Sequence, residues 1–324
     1  MKKRILFPAF AAVFILLVSA CSLNRMAIRA ISGALTSEGS TVVFTADPDP
    51  QLVGDAFPFT IKMYETLLSA NPEHQGLLRT TGSLFIMYAN AFVQGPAEQL
   101  PRERVADRGA AMERARLLYL RGFDLLYRGL ELKYPGFQSA FAAANQPNAR
   151  PAILARLNRS DVPSLYWAAV GGISAFAVNP LDLTLSVRVP EFLALAERAY
   201  ELEPDFNSGA LDEFLLLFFA LVPENMGGDR ARAQAHFERA LEKSGGLLAR
   251  PYVSHARAIS IPAQDYDTFK LHLEAALAID PDASPSNRLV NIIAQRQARH
   301  LLNSAAFYFI NTGADDWDWD DEDW

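Results

Sequence analysis

The sequence predicts an all-α protein, a helical repeat solenoid or bundle of about a dozen helices. Three observations point there. No run of alternating apolar and polar residues is bounded by turn residues, so strands are not indicated. Apolar residues recur at helical spacing between N-capping residues and proline or glycine stops. Several helix ends also repeat one pattern, in which small and aromatic residues three or four positions apart precede a proline. At 50% hydrophobic residues over 324, the chain can bury a large core, in one big domain or two ordinary ones.

The chain start reads as a processing signal, residues 1–20. Lys2, Lys3 and Arg4 form a positive segment, and residues 5–18 form an apolar run of fourteen. That is short for a membrane span, which needs roughly 20. The run leads into Val18-Ser19-Ala20-Cys21, which resembles the lipobox of bacterial lipoproteins. The resemblance implies cleavage after Ala20 and acylation of Cys21, with several chains anchoring firmly where one would not. Cys21 is the single cysteine, so no intramolecular disulfide forms. Ser22 follows it rather than Asp; by resemblance to enteric lipoprotein sorting, that favours the outer membrane over the inner one. Cys21→Ala is expected to leave an unlipidated precursor without palmitate.

Next come Leu23, Met26, Ala27, Ala30, Ile31, Ala34 and Leu35 at helical spacing, a short amphipathic helix. Residues 36–45 are polar and read as a loop. Asp49-Pro50 offers an N-cap and an N1 proline. The helix that follows carries Pro58, which should kink or divide it. Further helices are expected over 73–94, 102–132, 161–178, 190–203, 208–222, 228–243, 248–259, 265–279 and 286–303, with shorter pieces near 137–157. Residues 214–222 (FLLLFFALV) are too few to span a bilayer and read as a buried core helix.

The helix ends carry the repeat. Tyr64-Glu-Thr-Leu-Leu-Ser-Ala-Asn-Pro72, Ala199-Tyr-Glu-Leu-Glu-Pro204 and Ala276-Leu-Ala-Ile-Asp-Pro281 each close a helix. Ala233, Phe237 and Ala240 follow the same offsets before Gly245-Gly246, and Glu131-Leu-Lys-Tyr-Pro135 is a looser member. The pattern is TPR-like: small residues let two helices approach, the aromatic fills the gap, and proline stops the helix. Spacings of 41 and 36 residues exceed the usual 34, so the repeats are degenerate.

No catalytic constellation is visible. His74, His236, His255, His272 and His300 show neither HxxxH nor HExxH spacing, and no phosphate loop or nucleophile elbow occurs. Asp47 and Asp49 suit turns and caps better than calcium, which wants more oxygen ligands. No enzyme activity, metal or cofactor is expected. The residues that suit an apolar cavity are the small-residue helix from Trp167 to Phe176, and two amide stripes. Asn90 and Gln94 follow Tyr88; Asn287, Asn291 and Gln295 form the longer stripe. Small residues either permit close packing or leave room for a ligand. Amides either orient a ligand or cap helices. Tyr88, Asn90, Trp167, Phe176, Asn291 and Gln295 are the candidate ligand-lining residues.

Together these residues resemble a known family. Val53-Gly-Asp-Ala-Phe-Pro-Phe59, Leu67-Leu68 before Pro72, and Tyr88-Ala-Asn-Ala-Phe-Val-Gln94 are similar to the TPR lipoproteins associated with TRAP transporters, the T component, TatT. Arg121-Gly-Phe-Asp with Tyr127-Arg-Gly-Leu-Glu131, Gly227-Gly-Asp with His236-Phe-Glu-Arg-Ala240, and the run from Asn291 to Leu302 continue the likeness over about 22–305. The resemblance implies a periplasm-facing lipoprotein of a tripartite ATP-independent periplasmic transport system. It implies a partner, the extracytoplasmic solute receptor (the P component), and a cleft for a hydrophobic or amphipathic solute. It also implies a homo-oligomer, such as a trimer. A rival expectation is an envelope TPR scaffold that mediates protein assembly without a small-molecule site.

Charge separates the body from its end. The chain carries 30 Lys+Arg and 37 Asp+Glu, and residues 315–324 (DDWDWDDEDW) hold seven of the acids. The body, residues 21–314, is close to neutral and has no basic excess for nucleic acid. The tail carries Trp317, Trp319 and Trp324 among its acids. It reads either as a disordered, solvated terminus or as an acidic-aromatic peptide that docks on a basic groove of a partner or neighbouring subunit.

Overall fold

A computed structural model describes residues 42–142 and 148–310. The expected signal segment, Cys21, the helix near 23–35 and the acidic tail lie outside the described residues. Among those described, every regular element is helical. In chain order they are α1 Val42–Thr45, α2 Pro50–Ala70, α3 Gln75–Tyr88, α4 Gly95–Glu98, α5 Val105–Lys133, α6 Phe137–Ala142, α7 Ala149–Ala155 and α8 Val162–Val178. Then follow α9 Leu183–Ser186, α10 Val189–Leu202, α11 Ala210–Leu221, α12 Arg230–Ser244, α13 Arg250–His255, α14 Ile261–Ala263, α15 Tyr266–Ala278 and α16 Arg288–Asn303. None of the described helices is long and apolar enough to cross a membrane.

Local chemistry explains the starts and stops. The Asp49 carboxylate accepts from the backbone N–H of Gln51 and Leu52, and Pro50 occupies the first turn of α2, where no N–H is needed. Asp229 and Asp265 cap α12 and α15 in the same way. Two local expectations are corrected. Residues 42–45, read as part of a loop, form a helical turn because Phe44 packs on Phe57 with ring centroids 5.3 Å apart. Pro58 does not divide α2, which runs unbroken through it. Pro58 lies on the exposed side, so water can reach the backbone group its missing N–H leaves free. The opposite face, Val53, Phe57, Ile61, Tyr64 and Leu68, is buried along the whole helix and holds it together.

Helices pack mainly on their neighbours in the chain: α3 on α2 and α5, α5 on α8, α8 on α10, α11 on α12, α13 on α15, and α15 on α16. The largest core runs through α3 to α12, with a smaller one at each end of the chain. The apolar run in α11 is core, with Phe214, Leu215, Leu216, Phe218 and Phe219 all buried. The row also closes on itself. α16 touches α1 and α2, Leu289 belongs to the N-terminal core, and the Arg288 guanidinium donates to the Ala46 carbonyl at 2.9 Å.

Glycine sets the closest approaches. A Cβ on Gly172 of α8 would meet the buried Phe192 ring of α10 at 2.3 Å. A Cβ on Gly122 would meet the Gly82 carbonyl at 2.6 Å, which lets α3 and α5 touch backbone to backbone. The small residues of α8 therefore serve packing, and Phe176 at the end of that helix is 7% exposed within the central core.

Candidate functional site

Two helices widen at matching places. Residues Ala89–Gln94 form a π turn between α3 and α4, and Ala256–Ser260 form another between α13 and α14. Each is followed by one residue and then a proline, Pro96 or Pro262. A proline ring clashes with the carbonyl four residues earlier and has no N–H to offer it. Opening one turn to i→i+5 bonds relieves that conflict and lets the helix continue. The bonds are present: Gly95 N–H donates to Asn90, and Ile261 N–H to Ala256. These turns carry Asn90, Gln94 and Arg257.

The polar side chains of the two turns join into one chain. Arg257 pairs with Glu98 at 3.0 Å. Gln94 donates to Glu98 at 2.8 Å and accepts from the Tyr119 hydroxyl at 2.7 Å. Asn90 donates to the same hydroxyl at 3.3 Å. Beside this chain lies a second group. Arg250 pairs with the buried Glu213 at 3.0 Å, and Ser254 donates to the same carboxylate oxygen at 3.0 Å.

Burial and charge act differently on the tyrosines and the cations of these two groups. Tyr119 has no exposed surface, and burial pushes its hydroxyl well above the usual tyrosine range. Burial pushes Tyr166 up to about 12, against the opposing charge of Arg250. The Glu213 charge raises the Arg250 guanidinium, outweighing burial, and Tyr166 and Tyr119 add to it. Arg250 thus has two core tyrosines as neighbours, yet 44% of its side-chain surface is open. Arg257 keeps 40% open, and Asn90 is exposed. Exposed Arg250, Arg257 and Asn90 thus present polar groups beside the buried Tyr119 and Tyr166. Tyr166 continues the wall, with Trp167 at 5.0 Å and Phe206 at 5.4 Å between ring centroids. The arrangement offers two tethered cations and several amide and hydroxyl groups beside aromatic surface. Among the described residues, no group of three or more His, Cys, Asp or Glu could hold a metal.

The sequence-predicted residues divide between this region and elsewhere. Asn90 belongs to the polar chain, and half-buried Trp167 to the aromatic wall. Tyr88 packs on Phe57 and Phe92 and accepts from Arg114 at 3.2 Å, next to the N-terminal core. Phe176 is core. Asn291 and Gln295 are buried and bound to backbone. Asn291 accepts from Ala249 N–H and donates to the Leu247 carbonyl, both at 2.9 Å. Gln295 donates to the last carbonyls of α15 and to Ile279, at 2.7 to 3.3 Å. These two amides cap helices. Sequence reasoning missed Tyr119, Glu98, Glu213, Arg250 and Arg257. One signal was present: Asp212 and Glu213 stand at the head of the most apolar helix, where acids need buried partners. Asp212 has its own, at the edge of a 460 Å3 polar depression lined by Asp205, Ser208, Arg239, Glu242 and Lys243.

Comparison with known proteins places the chain. The profile of the TRAP transporter T-component family matches residues 46–309, which includes every element of the site. An uncharacterized protein of Treponema pallidum (strain Nichols) is 36% identical over 314 residues, 93% of this chain and 97% of the relative. The family is a transport-associated component of the cell envelope or periplasm and not a known enzyme family. With a match over residues 46–309 and helices throughout the described residues, the chain belongs to the TRAP transporter T-component family.

Proposed function

We propose that this chain binds an amphipathic solute in the space beside Arg250 and exchanges it with the extracytoplasmic solute receptor of a TRAP system. The observation that carries this is the exposed guanidinium of Arg250, held by Glu213 and near enough to the buried Tyr166 to feel its charge. Trp167, Tyr166 and Phe206 would hold the apolar part of the solute, at roughly 25 cal/mol per Å2 buried. Asn90, Tyr119 and Arg250 would orient the polar end. The mechanism is sequestration, without bond chemistry. Degenerate TPR-type pairs would supply the frame, and lipidation at Cys21 would hold the protein at the membrane, facing the periplasm, as a homo-oligomer.

Organic extraction of the purified protein tests the reading. The expected result is one co-purified amphipathic compound, present at a lower ratio in Trp167→Ala and in the double variant Arg250→Met with Glu213→Gln. The double variant removes both charges, so neither is left unpaired. A compound retained equally by folded variants, or none in the wild type together with no capture of the receptor, would overturn the proposal.

A further inference from the structure

The last α-helix of the described residues, α16, presents an arginine face without a partner among them. Residues 285–310 contain no acidic side chain. Arg296, Arg299 and Asn303 are three and four residues apart, so they share a face of α16, and all three are exposed. Neither arginine has an ion pair or side-chain hydrogen bond among the described residues. The face continues into Phe307, which is 61% exposed and carries the Arg102 guanidinium over its ring at 4.0 Å. Arg102 has no carboxylate partner among the described residues either.

The chain leaves the body at this face from a fixed point. Gln264 grips the departing backbone on both sides, donating to the Tyr308 carbonyl at 2.9 Å and accepting from Ile310 N–H at 3.0 Å. Ile310 is almost fully exposed. Fourteen residues follow, and the last ten hold seven acids and three tryptophans.

We propose that the acidic tryptophan tail, residues 315–324, docks on the Arg102, Phe307, Arg299 and Arg296 face of its own chain. Carboxylates would pair with the guanidinium groups, and tryptophan rings would stack on them, the strongest cation–π combination. Reach is sufficient. Arg296 and Asn303 lie about 11 Å apart along α16, and ten extended tail residues cover about 33 Å. Residues 311–313 (NTG) are turn-forming types suited to the reversal. Single exposed pairs are weak, but a short tether sets an effective concentration on the order of millimolar. A docked tail closes this face to other acidic partners.

Tryptophan quenching by acrylamide in the full chain tests the proposal. A chain ending at Gly313 retains only Trp167 and supplies the baseline to subtract. Docking predicts shielded tail tryptophans at low salt, with quenching that rises roughly twofold in about 0.5 M salt, where screening is short-ranged. Arg296→Glu with Arg299→Glu is expected to give the same rise at low salt, and dilution is expected to give none. Quenching that ignores both salt and the arginine variant overturns the proposal. So does protection lost on dilution, which assigns the tail to a second copy. The salt arm needs no variant and stands even if the double substitution fails to fold.

Discussion

Asp212 has no exposed side chain, yet its carboxylate meets His236 at 2.7 Å, Lys243 at 2.8 Å and Arg239 at 3.1 Å. Burial alone would raise its pKa; the three hydrogen bonds outweigh that and hold it below the usual range. A lowered carboxylate pKa contributes stability above the unfolded value, and the contribution is lost as pH falls through the folded value. Asp212→Asn is expected to cost about 2–4 kcal/mol near neutral pH, read as a lower denaturant midpoint, because two cations and His236 lose their partner. His255 behaves in the opposite chemical sense with the same pH direction. Burial first, then the nearby His272, pull its pKa down to about 4. The ring therefore stays neutral in the fold, 4.3 Å from His272 and 4.4 Å from Phe237 between centroids. Its contribution is complete above about pH 6.5, the ordinary value, and is lost as pH falls toward 4. The shift corresponds to roughly 3 kcal/mol. Urea midpoints at about pH 7.5 and about pH 4.5 should differ accordingly, and by clearly less in His255→Gln.

At the scale of elements, side-chain size at the crossings decides which helices can meet. Gly172→Ala puts a methyl group against Phe192, a ring with no exposed surface and nowhere to go. The expected cost is about 1–3 kcal/mol. Gly109→Ala, in the exposed first part of α5 with open space around it, should instead stabilise by about 0.5–1 kcal/mol. Thermal melting of the two variants side by side checks that packing and not helix propensity sets the first result. Most helices were legible because their stripes and caps are local: the expected 161–178, 190–203 and 265–279 match α8, α10 and α15 within about a residue or two. Ala199, Ala233, Phe237, Ala240 and Ala276 are all buried, which an ordinary helical bundle requires as much as a repeat does. The π turns were not read, although both prolines were in plain view. A proline in a helical pattern predicts a stop as readily as a widened turn. Only the packing of α3–α4 against α5 and of α13–α14 against α15 selects the latter.

For the whole molecule, the decisive contact joins the two ends of the described chain. Leu289 of α16 sits at 6% exposure among Val53, Phe57 and Leu77 of the N-terminal helices. Leu289→Ala should cost about 2–5 kcal/mol by opening a cavity there. Denaturant unfolding followed by far-ultraviolet circular dichroism reads the loss. Because the substitution loosens one seam of a closed row, the N-terminal and C-terminal helices should also separate into distinct transitions.

Local pattern and motif order were enough for the helical class, most helix boundaries, the core character of residues 214–222 and the family likeness. These depend on neighbours within a few positions, or on motif order along the chain. The sequence named Asn90 with Asn291 and Gln295 and could not separate an amide of the polar chain from one that caps a helix. An amide stripe looks the same whether it meets a ligand or a helix end. The tertiary structure decided that difference, since Gln295 reaches Ile279, sixteen residues back in the chain. It also assembled the polar wall, where Asn90 meets Tyr119 across 29 residues and Glu213 meets Ser254 across 41. Such partners are chosen by how whole helices cross and by which faces they bring together. Neither is written in any local window of the chain.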